Sequence, residues 1–166
     1  MAKPKQLPEE AKLLQQLATV SEVLFANPFK EQLSALCYRF RPPSGEIEVL
    51  LVTSRDSGRW IIPKGWPMKG KKPHKAAAIE AWEEAGVKGR IQKRPFGHFT
   101  YIKELDDGTK LPCIVHVHIL EVLSIDNKFR ETGQRRREWV TCIEASRRVR
   151  EPELKGLFLK FQREHL

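Results

Sequence analysis

One strongly helical stretch, "HKAAAIEAWEEAGV" at residues 74–87, stands between two strand-rich runs, and that placement restricts what the chain can fold into. Before it, "LSALCYRF" (33–40), "EIEVLLVTSR" (46–55) and "RWII" (59–62) are rich in strand formers, and "RPPSG" separates the first two as a turn. After it, "RIQKRPFGHFTYIKEL" (90–105) and "TKLPCIVHVHILEVL" (109–123) flank "DDG", a hairpin signal. "REWVTC" (137–142) reads as a further strand, and 143–149 and 152–165 as helices, the second with apolar residues at 154, 157, 158 and 161. Strands on both sides of a central helix, with more helices at the end, predict an α/β fold with a mixed sheet covered on both faces. Residues 1–29 read as a loose tail and a short helix over 9–25; residues 30–166 are expected to form one domain, long enough for a real core.

The helix is electrostatically unusual. With Glu80 as origin, Glu84 falls at about +40° and Glu83 at about −60°, so three carboxylates share one face. Ala76 and Ala77 fall on the same face and are expected to leave it uncrowded, with Ala78, Ala81, Trp82 and Ala85 as the packing stripe opposite. Like charges at these spacings repel by a few tenths of a kcal/mol per pair. Glu83 and Glu84 also sit just before the stop at Gly86, where the dipole's negative end disfavours acids. A solvated acidic face explains neither the location nor the small neighbours. A hard divalent cation, magnesium or manganese, explains both, because clustered carboxylate oxygens suit it and its charge removes the repulsion.

Lys plus Arg number 30 against 21 Asp plus Glu, a formal charge of +9, which favours an anionic partner. The basic stretches lack the interleaved aromatics of a single-strand stacking platform, so nucleic acid is a weaker expectation than a phosphate-rich small molecule. Cys37, Cys113 and Cys142 are odd in number and widely spaced, which fits a reducing compartment. Residues 13–26 are interrupted by Glu22 and are too short and polar to span a membrane, so the expectation is a cytoplasmic protein with no membrane contact. His116 and His118 alternate on one strand with no third ligand at suitable spacing and are taken as strand residues. Trp60 and Trp139 are expected in the core; Trp66, in the lysine loop, is the better placed to stack on a base.

"GWPMKGKKPHKAAAIEAWEEAGV" (65–87) resembles the signature of the Nudix hydrolases. Gly65, Glu80, Glu83, Glu84, Gly86 and Val87 match at the required spacing, and Ala81 fills the small apolar slot. Lys71 stands where the signature has its first glutamate, and Ile79 where it has arginine. "TSR" (53–55), the hairpin strands and "RRREWV" (135–140) resemble the diphosphoinositol polyphosphate and diadenosine polyphosphate hydrolase branch. The resemblance implies an α/β/α sandwich with a mixed sheet and a catalytic loop-helix-loop. It also implies metal-dependent hydrolysis of a pyrophosphate bond in a phosphate-rich substrate, by a monomer or homodimer. Carried over by position, Glu80 and Glu84 are metal ligands with a carbonyl of the Lys64–Gly65 turn, and Glu83 is general base or a further ligand. Glu104, Asp106, Asp107 and Glu121 remain open as an outlying base. Arg55, Lys64, Lys103, Arg135, Arg136 and Arg137 are the phosphate-gripping candidates. Ile79 lies one turn before Glu83, where an arginine would pair with it, so Glu83 is expected to lack its partner. Two alternatives are a non-catalytic module of the same fold binding RNA or a nucleotide, and a pyrophosphatase for simpler nucleotides.

Overall fold

Strands β1 (Lys30–Arg41) and β2 (Glu46–Thr53) are each buried along six consecutive residues, 32–37 and 48–53, instead of alternating. Such runs belong to strands covered on both faces. The computed structural model describes residue 18 and residues 28–166; the helix expected over 9–25 lies outside them but for Ala18, which is helical. The order continues with β3 (Trp60–Ile61), β4 (Lys64–Gly65), α1 (Pro73–Ala85), β5 (Val87–Ile91), β6 (Gly97–Glu104), β7 (Lys110–Ile125), β8 (Arg137–Val140), α2 (Cys142–Arg148) and α3 (Pro152–Glu164).

The sheet runs β3-β2-β1-β7-β5, with β4 on β1, β6 on β7 and β8 on β2. Ala35 and Cys37 of β1 and Leu50 and Val52 of β2 pack against Ala81 and Ala85 of α1. Side chains of opposite parity leave the other face. There Tyr38 meets Phe161 of α3 with ring centroids 5.0 Å apart, and α2 packs on α3 and on β2. Helices on both faces give the α/β/α layering expected from the sequence.

The described residues form two units, 31–100 with 114–166, and a second that contains 101–113. The first holds helices α1, α2 and α3 and most of the buried apolar residues. The described part of the second is chiefly residues 101–113, the turn of the β6–β7 hairpin with the strand ends beside it, closed by Leu105 N–H to Thr109 O and Gly108 N–H to Leu105 O, with Gly108 at φ +82°. "DDG" forms the expected turn.

Four details depart from the sequence reading. The strand expected over 90–105 is two strands, β5 and β6, because Pro95 lacks an N–H and the chain loops out before it. Lys64–Gly65, expected in a loop, pairs with β1, Leu33 opposite Gly65 and Ser34 opposite Lys64. The strand expected over 137–142 stops at Val140, since Thr141 caps α2 by accepting from Glu144 N. Finally, Ala76 and Ala77 do not leave open space. Both are fully buried beside Leu33, so α1 docks with part of its carboxylate face inward while Trp82 is only half-buried. Two alanines beside the acids allow that close approach.

Helix α1 begins at Pro73, where a missing N–H costs nothing, and ends at Gly86, whose φ of +69° is left-handed. A Cβ at Gly86 would strike the Phe129 ring and lie 2.7 Å from Asp126 O. Gly86→Ala is therefore expected to lower stability by about 2–4 kcal/mol, from left-handed backbone strain plus overpacking. Urea unfolding should show a lower midpoint at an unchanged slope.

Candidate active site

The site is built where the last two turns of α1 face the short strand β4. Beta pairing holds the Lys64–Gly65 backbone against β1, and the buried alanines bring α1 down onto it. Glu80 then lies so close to Gly65 that any Cβ there would overlap its carboxylate. Glycine is thus required for proximity, at an ordinary φ. Glu84 is almost fully buried and accepts from Lys64 N–H through Oε2 at 3.3 Å. Its Oε1 accepts from Arg135 Nη2 at 3.2 Å.

The segment between β7 and β8 forms the other wall. Arg130 Nη1 meets Glu83 Oε1 at 2.8 Å, and the Glu131 N–H donates to Glu83 O at 3.0 Å. The Glu131 carboxylate pairs with Arg55 at 3.0 Å and with Arg135 at 3.5 Å. Arg135 also donates to Thr53 O at 3.1 Å, while its Nε is buried without a partner among the described residues. Arg137 donates to the Ala85 and Asp126 carbonyls at 2.7 and 2.8 Å and to Asn127 Oδ1 at 2.9 Å, so it closes the C-terminus of α1. Arg136 is exposed, with its guanidinium 5.3 Å from the Trp60 ring centroid.

These contacts sort the candidates. Glu80, Glu83, Glu84, Lys64, Gly65, Arg55 and Arg135 come together. Arg137 reaches the helix end. The Arg136 N–H donates to Thr53 Oγ1, but its guanidinium lies over the Trp60 ring, which Arg148 of α2 also reaches at 5.5 Å. The Arg136 side chain therefore faces the α2 side of the sheet and does not join the carboxylates. Lys103, Glu104, Asp106 and Asp107 belong to the other unit, and Glu121 pairs with Arg90 at 3.7 Å. The expectation that Glu83 lacks a partner is corrected: Ile79 offers none, and Arg130 supplies it from outside the helix. Glu131 and Arg130 went unnoticed in the sequence, although Glu131 is the one acid among Lys128, Arg130, Arg135, Arg136 and Arg137.

Burial pushes the Glu80 carboxyl up, aided by Glu83 and Glu131 and opposed by Arg130 and Arg135. Burial also raises Glu84, to about 7, with Glu80 and Glu131 adding to the rise and Arg135 and Lys64 resisting it. Desolvation outweighs the ion pair. Among the described residues no three His, Cys, Asp or Glu side chains are gathered to hold a metal ion. Glu83 and Glu84 are instead turned to arginines. The donors nonetheless fit a hard divalent cation in kind. They are all oxygens, within two helical turns, with one carboxylate cradled against a glycine backbone.

A NUDIX domain profile matches residues 30–161. The chain is 36% identical over 120 residues to diphosphoinositol polyphosphate phosphohydrolase 3-beta of Bos taurus, covering 70% of this chain and 67% of that one. It is 36% identical over 118 residues to the 3-alpha enzyme of Homo sapiens, with the same coverage. A similar solved structure is the Ap4A hydrolase of C. elegans, with a TM-score of 0.60 and 21% identity, covering 84% of this chain and all of that one.

A carboxyl raised by folding is stabilising below its unfolded pKa and loses that contribution as pH rises through the folded value. Metal-free protein should therefore melt progressively lower between about pH 4.5 and about pH 7, by Glu84 above all. In Glu84→Gln the slope should flatten; thermal melts in chelator across that range check it.

Proposed function

The chain belongs to the Nudix family, and from that premise we propose that it hydrolyses a pyrophosphate bond in a phosphate-rich substrate, a diphosphoinositol polyphosphate or a dinucleoside polyphosphate. The observation that carries the reading is the seating of Glu80 and Glu84 on the Lys64–Gly65 backbone. Nudix hydrolases generally use a divalent metal. Here Glu80, Glu84 and a carbonyl of that turn would hold magnesium or manganese, with Glu83 as a further ligand or as the base. Such an ion supplies positive charge to phosphate oxygens and makes water more acidic.

The protein's own groups do the rest. Glu83 is anchored at Oε1 by Arg130, and an attacking water would give up its proton to a carboxylate held in this way. Arg135 fixes Glu84 and the end of β2 together, while Arg137 fixes the helix terminus. Arg55, more than half exposed beside Glu131, and Lys64 would grip the substrate's outlying phosphates. Related proteins named as phosphohydrolases of inositol pyrophosphates support the substrate class. No helix among the described residues is long and apolar enough to cross a membrane. Cytoplasmic residence is part of the same reading.

Two outcomes are expected. Glu84→Gln should lose most magnesium-dependent hydrolysis while its metal-free melt does not fall, because removing the charge relieves burial and the repulsion from Glu80. Phosphate release from a substrate panel, with and without magnesium, checks the first half; no release from wild type on any substrate would favour a non-catalytic binding module instead. Arg55→Ala should raise KM for a dinucleoside polyphosphate of several phosphates far more than for a nucleotide sugar, since only the former places an anion there. Equal KM changes for both substrates would remove Arg55 from the site.

A further inference from the structure

Glu83 lies in the last turn of α1, and that turn contains no basic residue. Position 79, one turn earlier, is where a helical cation would reach Glu83. Ile79 there is uncharged, and Lys71 lies exposed in the preceding loop. The cation comes instead from the segment between β7 and β8. Arg130 Nη1 stands 2.8 Å from Glu83 Oε1. Its reach is set by a closed turn: Phe129 N–H donates to Thr132 Oγ1 at 2.7 Å, and Thr132 N–H to Phe129 O at 3.1 Å. The neighbouring Glu131 N–H ties the same turn to Glu83 O at 3.0 Å. Backbone and side chain of one segment thus clasp both ends of one residue.

Arg130 is largely exposed whereas Glu83 is mostly covered. A pair with so exposed a partner contributes little to stability. Its consequence is orientation. A guanidinium that takes one carboxylate oxygen selects the rotamer and leaves the second oxygen for other work.

Resting on the hydrolase reading above, we propose that Arg130 is a positioning residue: it stands in for the cation absent from position 79 and fixes how Glu83 presents Oε2 to metal and water. Arg130 touches neither; it acts through Glu83.

The test uses the full chain with Arg130→Ala, Arg130→Lys, and Arg130→Ala combined with Ile79→Arg. Three readouts are taken: Mn2+ binding without substrate, by electron paramagnetic resonance of the free ion; kcat and KM on a diadenosine polyphosphate; and the melting temperature. Arg130→Ala should melt like wild type, bind Mn2+ more weakly and lose about ten- to a hundredfold in kcat, with KM little changed, as loss of orientation predicts. Arg130→Lys should fall between. Adding Ile79→Arg should recover most of both losses, because an arginine there reaches Glu83 along the helix. Wild-type Mn2+ binding and kcat in Arg130→Ala would overturn the proposal. A loss that tracks a lowered melting temperature and is not recovered by Ile79→Arg would overturn it equally. If wild type hydrolyses no pyrophosphate at all, the hydrolase reading falls, while the Mn2+ titration still decides the role of Arg130.

Discussion

The last turn of α1 concentrates negative charge where a helix tolerates it least, and the rest of the site follows from how that charge is met. Glu83 and Glu84 adjoin the helix's negative end, and Glu80 stands one turn before. Arginines from a different segment answer them: Arg130 at Glu83, Arg135 at Glu84 and Arg137 at the terminal Ala85 carbonyl. Arg130 and Arg135 lie between β7 and β8 and Arg137 is the first residue of β8, so the helix end and that stretch of chain form one electrostatic unit.

This unit is tied to the sheet. Arg135 donates to Thr53 O, and Thr53 Oγ1 accepts from Arg136 N–H. β8 begins immediately afterwards and pairs with β2, Val52 opposite Arg137. Arg135, which meets Glu84, lies two residues before this strand, so the orientation of Glu84 depends on sheet pairing. The buried alanines do the corresponding work on the other side, setting α1 low enough for Glu80 to meet Gly65.

The two departures from the family signature acquire a physical meaning in this setting. Lys71 reverses the charge and Ile79 removes it at one end of the arrangement, and Arg130 brings charge from the other. The pattern of residues changes while the need to hold Glu83 does not. A residue that pairs through space at a separation of 47 positions carries no periodic trace.

Much of this protein was legible in its residues alone. The spacing of Glu80, Glu83 and Glu84 placed them on one helical face because 3.6 residues make a turn. Gly86 ended the helix because glycine accepts the left-handed backbone. The apolar runs 33–40 and 46–55 formed strands covered on both faces, since no alternation left a polar side for water. Tertiary structure decided the rest. It turned Ala76 and Ala77 inward, because helical periodicity shows which residues share a face and not which face meets the sheet. It made Lys64–Gly65 a strand, because two residues pair only when β1 offers them an edge. It drew Arg135 and Arg137 from the arginine run onto protein groups and left Arg136 exposed, because adjacent residues on extended chain point to opposite sides. And it brought Glu131 to the carboxylates, because a charge's partner is chosen by distance in space, which only the folded chain defines.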